Sequence, residues 1–521
     1  MHKAFIDCLK CCYHSLFYLF VSGIFLPGFA ANAAEDLLFD EYETTTGSAG
    51  QQTVLTGFLL DNAIADLAVV HIDENGSRSL RIFRFDNAAW EPFVEASLRR
   101  DVLFVDVVSI GGQDRLITYE RGRLNWFDPE SAAERSLLSV NANINPPPGD
   151  EIPHVDISRD VNHDGRDDLV VPDGMGTWVY VQIDGGRFAD PIRMGPPVNM
   201  NKVYRADGYR YKPWNESGIH ELDYNMDSRS DLVFWNHDHF AIHYQNEQGL
   251  FDPVAETFAV DVTFDSADPS YLAAPQELHR RRRDQQLVGL PVGRVLHSFA
   301  DVNADHVADL VVFSLDIESM WSVHSAYEVH FGALAAQGID FSPDVGATIL
   351  SSGVPFGLQQ FDFEQDGQLD VMFTTLKIGV FRMISMIARG VLTSSVALQL
   401  EFYRMDSGSF PSKPNASLKI PAHAPGVSGE KGILYPPILI GEVNGDRHAD
   451  LLVGRGQEEM QVYPGVPGTD VFDRRPQKIA VAMAGEEYTW LSDINKDGKQ
   501  DIIMHHRSTT EQHRVTALIA Q

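Results

Sequence analysis

Six times the chain sets four oxygen-bearing side chains within nine residues. The first set is Asp160, Asn162, Asp164 and Asp168, and the second is Asp223, Asn225, Asp227 and Asp231. Then come Asp301, Asn303, Asp305 and Asp309, followed by Asp362, Glu364, Asp366 and Asp370. The last two are Glu442, Asn444, Asp446 and Asp450, and Asp493, Asn495, Asp497 and Asp501. Positions 1, 3, 5 and 9 carry the oxygens each time. So many carboxylates in so short a loop repel one another unless a hard cation neutralises them. Calcium suits such a donor set, since it takes six to eight oxygen ligands in a flexible shell. Up to six calcium ions are therefore expected, one per loop.

Spacing separates this pattern from helix–loop–helix calcium sites, which need a bidentate Glu at position 12. Val171, Phe234, Val312, Phe373, Val453 and Met504 stand there instead. The flanks read as strands, such as Val295–Phe299 before one loop and Leu310–Phe313 after it. The repeat resembles the FG-GAP family (integrin alpha-type, also called VCBS), whose loop joins the first two strands of a propeller blade. That resemblance covers most of the chain after its leader and implies a calcium-binding β-propeller of adhesion type. The family favours Gly at position 6, where this chain has Ser228, His306 and Arg447 in three loops. Turn geometry and affinity are expected to suffer there.

The elements that must hold these loops recur with them. Alternating strands and Gly or Asn turns follow each loop, and an aromatic (Trp90, Phe188, Phe251, Phe472) is expected to open the next strand. Two weaker units precede the six. One runs from Leu60 to Val70 around Asp66, the other from Asp106 to Tyr119, and both read as blades without metal. The fold class is thus all-β: a single β-propeller of eight four-stranded antiparallel blades, with seven as the alternative. The last unit stops after three strands, and the segment Asp36–Tyr42 is expected to supply the fourth, removing an exposed sheet edge. A short helical insertion is expected within the sixth unit, over 376–393.

Residues 1–33 read as a secretory signal: Lys3 and Lys10, an apolar run over 16–26, and Ala31-Asn32-Ala33 for cleavage. The propeller would occupy 34–521, exported to the periplasm or the extracellular space, with no transmembrane segment after cleavage. Cys8, Cys11 and Cys12 all precede the apolar run, leaving no cysteine for disulfides after it. The formal charge of −32 argues against a nucleic-acid partner, which needs a basic field.

Three excursions interrupt the repeat. Residues 376–393 are apolar enough for a helix that caps the ring, the favoured reading, or that docks peripherally on a membrane or partner. Residues 252–294 hold Arg280 to Arg283, a grip for acidic groups or a solvated loop. Residues 190–218 interleave Tyr204, Arg205, Tyr209, Arg210, Tyr211, Lys212 and Trp214, as sugar-stacking loops or ordinary surface loops do. His237, His239 and His243, and His505, His506 and His513, lack the spacing of a zinc site. No nucleophile elbow, phosphate loop or dinucleotide fingerprint occurs. The expected function is a non-catalytic binding or adhesion scaffold for a protein or glycan partner. A calcium-dependent, lyase-like polysaccharide-degrading enzyme on the same propeller is the alternative.

Overall fold

Eight sheets follow one another along the chain as the blades of a propeller ring, each built on four antiparallel strands; in the second, the short strands His154–Val155 and Arg210–Tyr211 add in parallel at one edge. The computed structural model describes residues 38–48, 50–147, 151–198, 210–211, 213–265, 267, 293–319, 322–352, 354–363, 365–376, 396–422, 436–468, 470–508 and 511–521. The expected leader, the four arginines, Glu364 and nearly all of the insertion over 376–393 lie outside the described residues. Blades 1 to 7 span 51–97, 104–139, 158–194, 219–258, 293–352, 354–422 and 438–480. Blade 8 takes three strands from 489–520 and its outermost strand, Phe39–Gly47, from the other end of the chain. Phe39 pairs with Ala520 and Thr45 with Arg514, so the ring closes as the sequence expected.

Burial explains why the second strand of most blades carries an apolar run. In Asp66–Ile72 and Asp168–Asp173 every residue is buried, because both faces of the strand pack on neighbouring blades. Outermost strands such as Ala89–Ser97 alternate toward solvent instead. The core is accordingly a series of wedges between blades. Val69, Trp90, Ile503 and Val515 join blades 1 and 8, and Phe313, Tyr327, Phe373 and Tyr403 join blades 5 and 6. Residues 38–521 form one compact unit. Among the described residues the helical content is one short helix, Pro213–Ser217, and a 3-10 turn, Glu486–Tyr488.

Two local expectations need correction. In blades 3, 4 and 7 the aromatic after the third strand does not open the fourth. Phe188 closes a small extra ribbon with Gln182, while Phe251 and Phe472 form single bridges to Gln245 and Gly465. The fourth strands begin later, at Ile192, Glu256 and Gln477. The rings instead fill the inter-blade wedges, where Phe251 and Phe472 are buried; burying an aromatic outweighs strand continuity here. Only in blade 1 does the aromatic, Trp90, sit inside the strand as expected. In blade 2 the loop is replaced by a two-residue turn at Gly111-Gly112, with φ of 64° and 80°. Such paired left-handed residues make the tight hairpin that matches strand twist. Asp106 therefore lies inside the first strand, bonded to His154 Nε2 at 2.9 Å and accepting from the Ile157 N–H at 2.8 Å.

Candidate metal loops on one face of the ring

Each of the six acidic loops joins the first strand of its blade to the second, so all six emerge on the same face. They share one backbone. Position 4 is left-handed in every copy, with φ of 58° at His163, 57° at Met226, 62° at Ala304, 56° at Gln365, 82° at Gly445 and 59° at Lys496. Position 6 is left-handed too: 82°, 86° and 88° at Gly165, Gly367 and Gly498, and 67°, 68° and 74° at Ser228, His306 and Arg447. The three loops without Gly keep the turn and bear its strain.

Side-chain oxygens organise that turn. Asp160 accepts from the N–H groups of Asp164 at 3.0 Å and Gly165 at 2.8 Å. Asp223, Asp301, Asp362 and Asp493 accept from the same two positions of their own loops. The longer Glu442 reaches the N–H groups of Asn444, Gly445 and Arg447. The amides of Asn162, Asn225, Asn303, Asn444 and Asn495 each donate to the position-5 carboxylate, at 3.0–3.2 Å. Those carboxylates, on Asp164, Asp227, Asp305, Asp446 and Asp497, accept in turn from the N–H of position 7, as Asp366 does.

Position 9 plays a different part. Asp168 accepts from Val161 N–H at 3.1 Å and from Gln182 N–H, beyond the third strand, at 2.7 Å. Asp231, Asp309, Asp370, Asp450 and Asp501 bind the equivalent pairs. These carboxyls are buried inside the ring. Burial pushes Asp168, Asp231, Asp309 and Asp450 up to about 7, and Asp501 to about 6. The N–H bonds pull the other way, and the carboxylates at positions 5 and 1 add to the rise. The sequence pattern marked these aspartates as ligands and missed that they clamp two backbone segments.

A hard cation fits the donor set, which is all oxygen and crowded with like charge. Cations of the chain meet part of that charge in three loops: Arg166 and Arg229 bind the position-5 carboxylates of theirs, and Lys499 lies 3.4 Å from Asp497. Among the described residues no three His, Cys, Asp or Glu side chains already converge as around a bound ion. The histidine groups form no such cluster either among the described residues, although the His505 and His513 rings lie 5.6 Å apart. In blade 1 Asn62 donates its amide to Asp66 at 2.7 Å, and Leu60 N–H donates to the same carboxyl at the same distance.

The loops also tie blade to blade. Phe58 N–H reaches Asp114 of blade 2, Ser109 N–H reaches Asp167 of blade 3, and Gln245 of blade 4 reaches Asn162 O. Leu369 N–H bonds Val302 O, Gln365 reaches Arg447 O, Gln500 N–H bonds Glu442 O, and Ala65 N–H bonds Ile494 O. Among the described residues no such bond crosses the seam between blades 4 and 5. A cavity of 440 Å³ opens there, bordered by Arg159, Trp214, Glu221, Phe299 and Asp301.

No family model and no curated protein matches the chain. Among solved structures, a lectin of Agrocybe aegerita that recognises non-reducing terminal N-acetylglucosamine is 15% identical. It covers 82% of this chain and 94% of its own, with a TM-score of 0.36. A biofilm matrix protein of V. cholerae is 11% identical over 93% and 92% of the two chains, with a TM-score of 0.34. A rhamnogalacturonan lyase of Bacillus licheniformis is 10% identical over 91% and 72%, with a TM-score of 0.30. Similarities this remote assign no activity.

Proposed function

We propose that the chain is an exported, calcium-stabilised binding scaffold for a protein or glycan partner. The observation that carries this reading is the sixfold repetition of one loop conformation on one face, each copy presenting a crowded all-oxygen donor set. The residues that would hold calcium are those at positions 1, 3, 5 and 9, from Asp160 to Asp168 in the first loop to Asp493 to Asp501 in the last. Calcium would supply positive charge that relieves carboxylate repulsion and makes each turn rigid. A rigid face suits recognition, because loops fixed before binding lose less conformational entropy when a partner arrives. Such charge would also stabilise a protein whose expected exported form has no cysteine for disulfides.

The test is calcium content together with thermal melting. The purified protein should carry calcium, and chelation should lower its melting temperature markedly. Calcium-free protein with an identical melt at low ionic strength would overturn the calcium part. The scaffold part is tested by recovery of one specific partner on the immobilised, calcium-loaded ring, lost when the loops are stripped.

A further inference from the structure

The cavity at the seam of blades 4 and 5 has an apolar floor and a polar rim. Leu222 and Phe299 are buried beneath it. On the rim, Glu221 binds Arg159 at 2.6 Å and His163 Nε2 at 3.1 Å, reaching from blade 4 to blade 3. The Arg159 guanidinium also lies 4.8 Å from the centre of the Trp214 ring. Trp214 belongs to the excursion over 190–218, whose aromatics and cations stood out in the sequence. Its helix, Pro213–Ser217, brings the indole to the same cavity as the loops of blades 3, 4 and 5.

We propose that this cavity binds the end of a neutral glycan. The proposal rests on the scaffold reading and deepens it by naming a site and a ligand class. The volume lies within the ~300–1,000 Å³ typical of small-ligand pockets, enough for a sugar or two. A pyranose ring presents a C–H face that packs on aromatic carbon, and hydroxyls that both donate and accept. The half-buried Trp214 meets the first need. Glu221 can accept, and Arg159 and His163, 40% and 60% exposed at their side chains, can donate. An anionic sugar would face the Glu221 carboxylate, on a chain whose formal charge of −32 six calcium ions would not cancel. A wholly apolar ligand would strip water from the rim's ion pairs without replacing its hydrogen bonds.

The test uses the full, calcium-loaded protein. Methyl glycosides of neutral hexoses and N-acetylhexosamines, and of uronic acids, are screened by saturation-transfer NMR and measured by calorimetry. A neutral glycoside should bind, and Glu221→Gln and Trp214→Ala should each weaken it at least tenfold at unchanged melting temperature. His163→Asn should weaken it while keeping the loop, since Asn tolerates a left-handed backbone. If Trp214→Ala misfolds, the isosteric Glu221→Gln decides. Neutral-glycoside binding untouched by these changes would place the ligand elsewhere and overturn the site, leaving the scaffold reading intact. Failure of every neutral glycoside to bind the folded, calcium-loaded protein would also overturn the site. A preference for uronates would overturn the ligand class. Unsaturated products from uronate oligosaccharides would overturn the scaffold reading itself.

Discussion

Exchanging the position-6 residues isolates the strain that three of the six loops bear. Arg447 holds φ at 74°, a left-handed conformation that costs a non-glycine residue ~1–2 kcal/mol. Arg447→Gly removes that cost but gives the unfolded chain more freedom, a loss of ~0.4–1 kcal/mol. The net expectation is a gain of about 0.5–1 kcal/mol, with similar gains for Ser228→Gly and His306→Gly. The reverse changes provide the control. A Cβ at Gly165 or Gly498 would meet nothing within 4 Å, so Gly165→Ala and Gly498→Ala should lose about 0.5–1 kcal/mol through φ alone. Gly367→Ala should lose slightly more, because its Cβ would come 3.3 Å from the Cβ of Ala304. Denaturant midpoints, taken both with saturating calcium and in chelator, measure all six. Strain also favours release of the ion, so the Ser228, His306 and Arg447 loops should give up calcium first in a chelator titration. Neutral Gly→Ala changes, a destabilising Arg447→Gly, or six equivalent sites by calorimetry would refute the reasoning.

Removing residues 38–47 should expose the third strand of blade 8 and make the ring aggregate, and adding the peptide 38–48 back should restore monomer on size exclusion. Burial holds His513 down to about 4, from 6.5, so the unfolded chain binds more protons between those values. Its contribution should be intact above pH 6.5 and fall by about 3 kcal/mol as pH drops toward 4, a slope that His513→Phe should abolish in pH-dependent denaturation. Asp66 has the opposite sign: burial raises its carboxyl to about 6 from 3.8, a penalty of about 3 kcal/mol that is absent below pH 3.8 and full above pH 6. Asp66→Asn should therefore gain stability relative to the parent above pH 6 and gain nothing below pH 4; equal effects at both pH values would contradict that assignment.

Much of this ring can be read from local pattern alone. Asp, Asn and Asp at positions 1, 3 and 5 bond backbone N–H groups within their own nine residues, so each loop carries its own instructions. Most second strands announce themselves as apolar runs because both faces are covered, and the missing eighth-blade strand follows from counting strands. Long-range contact decided the rest. The role of Asp168 depends on Gln182, fourteen residues away, and the displacement of Phe251 and Phe472 from their strands depends on a neighbouring blade. Arg159 and Glu221 lie sixty-two residues apart and Trp214 sits in an irregular excursion. They became one cavity wall only when blades 3, 4 and 5 packed side by side, because periodicity specifies which face a residue occupies, and packing alone specifies what it faces.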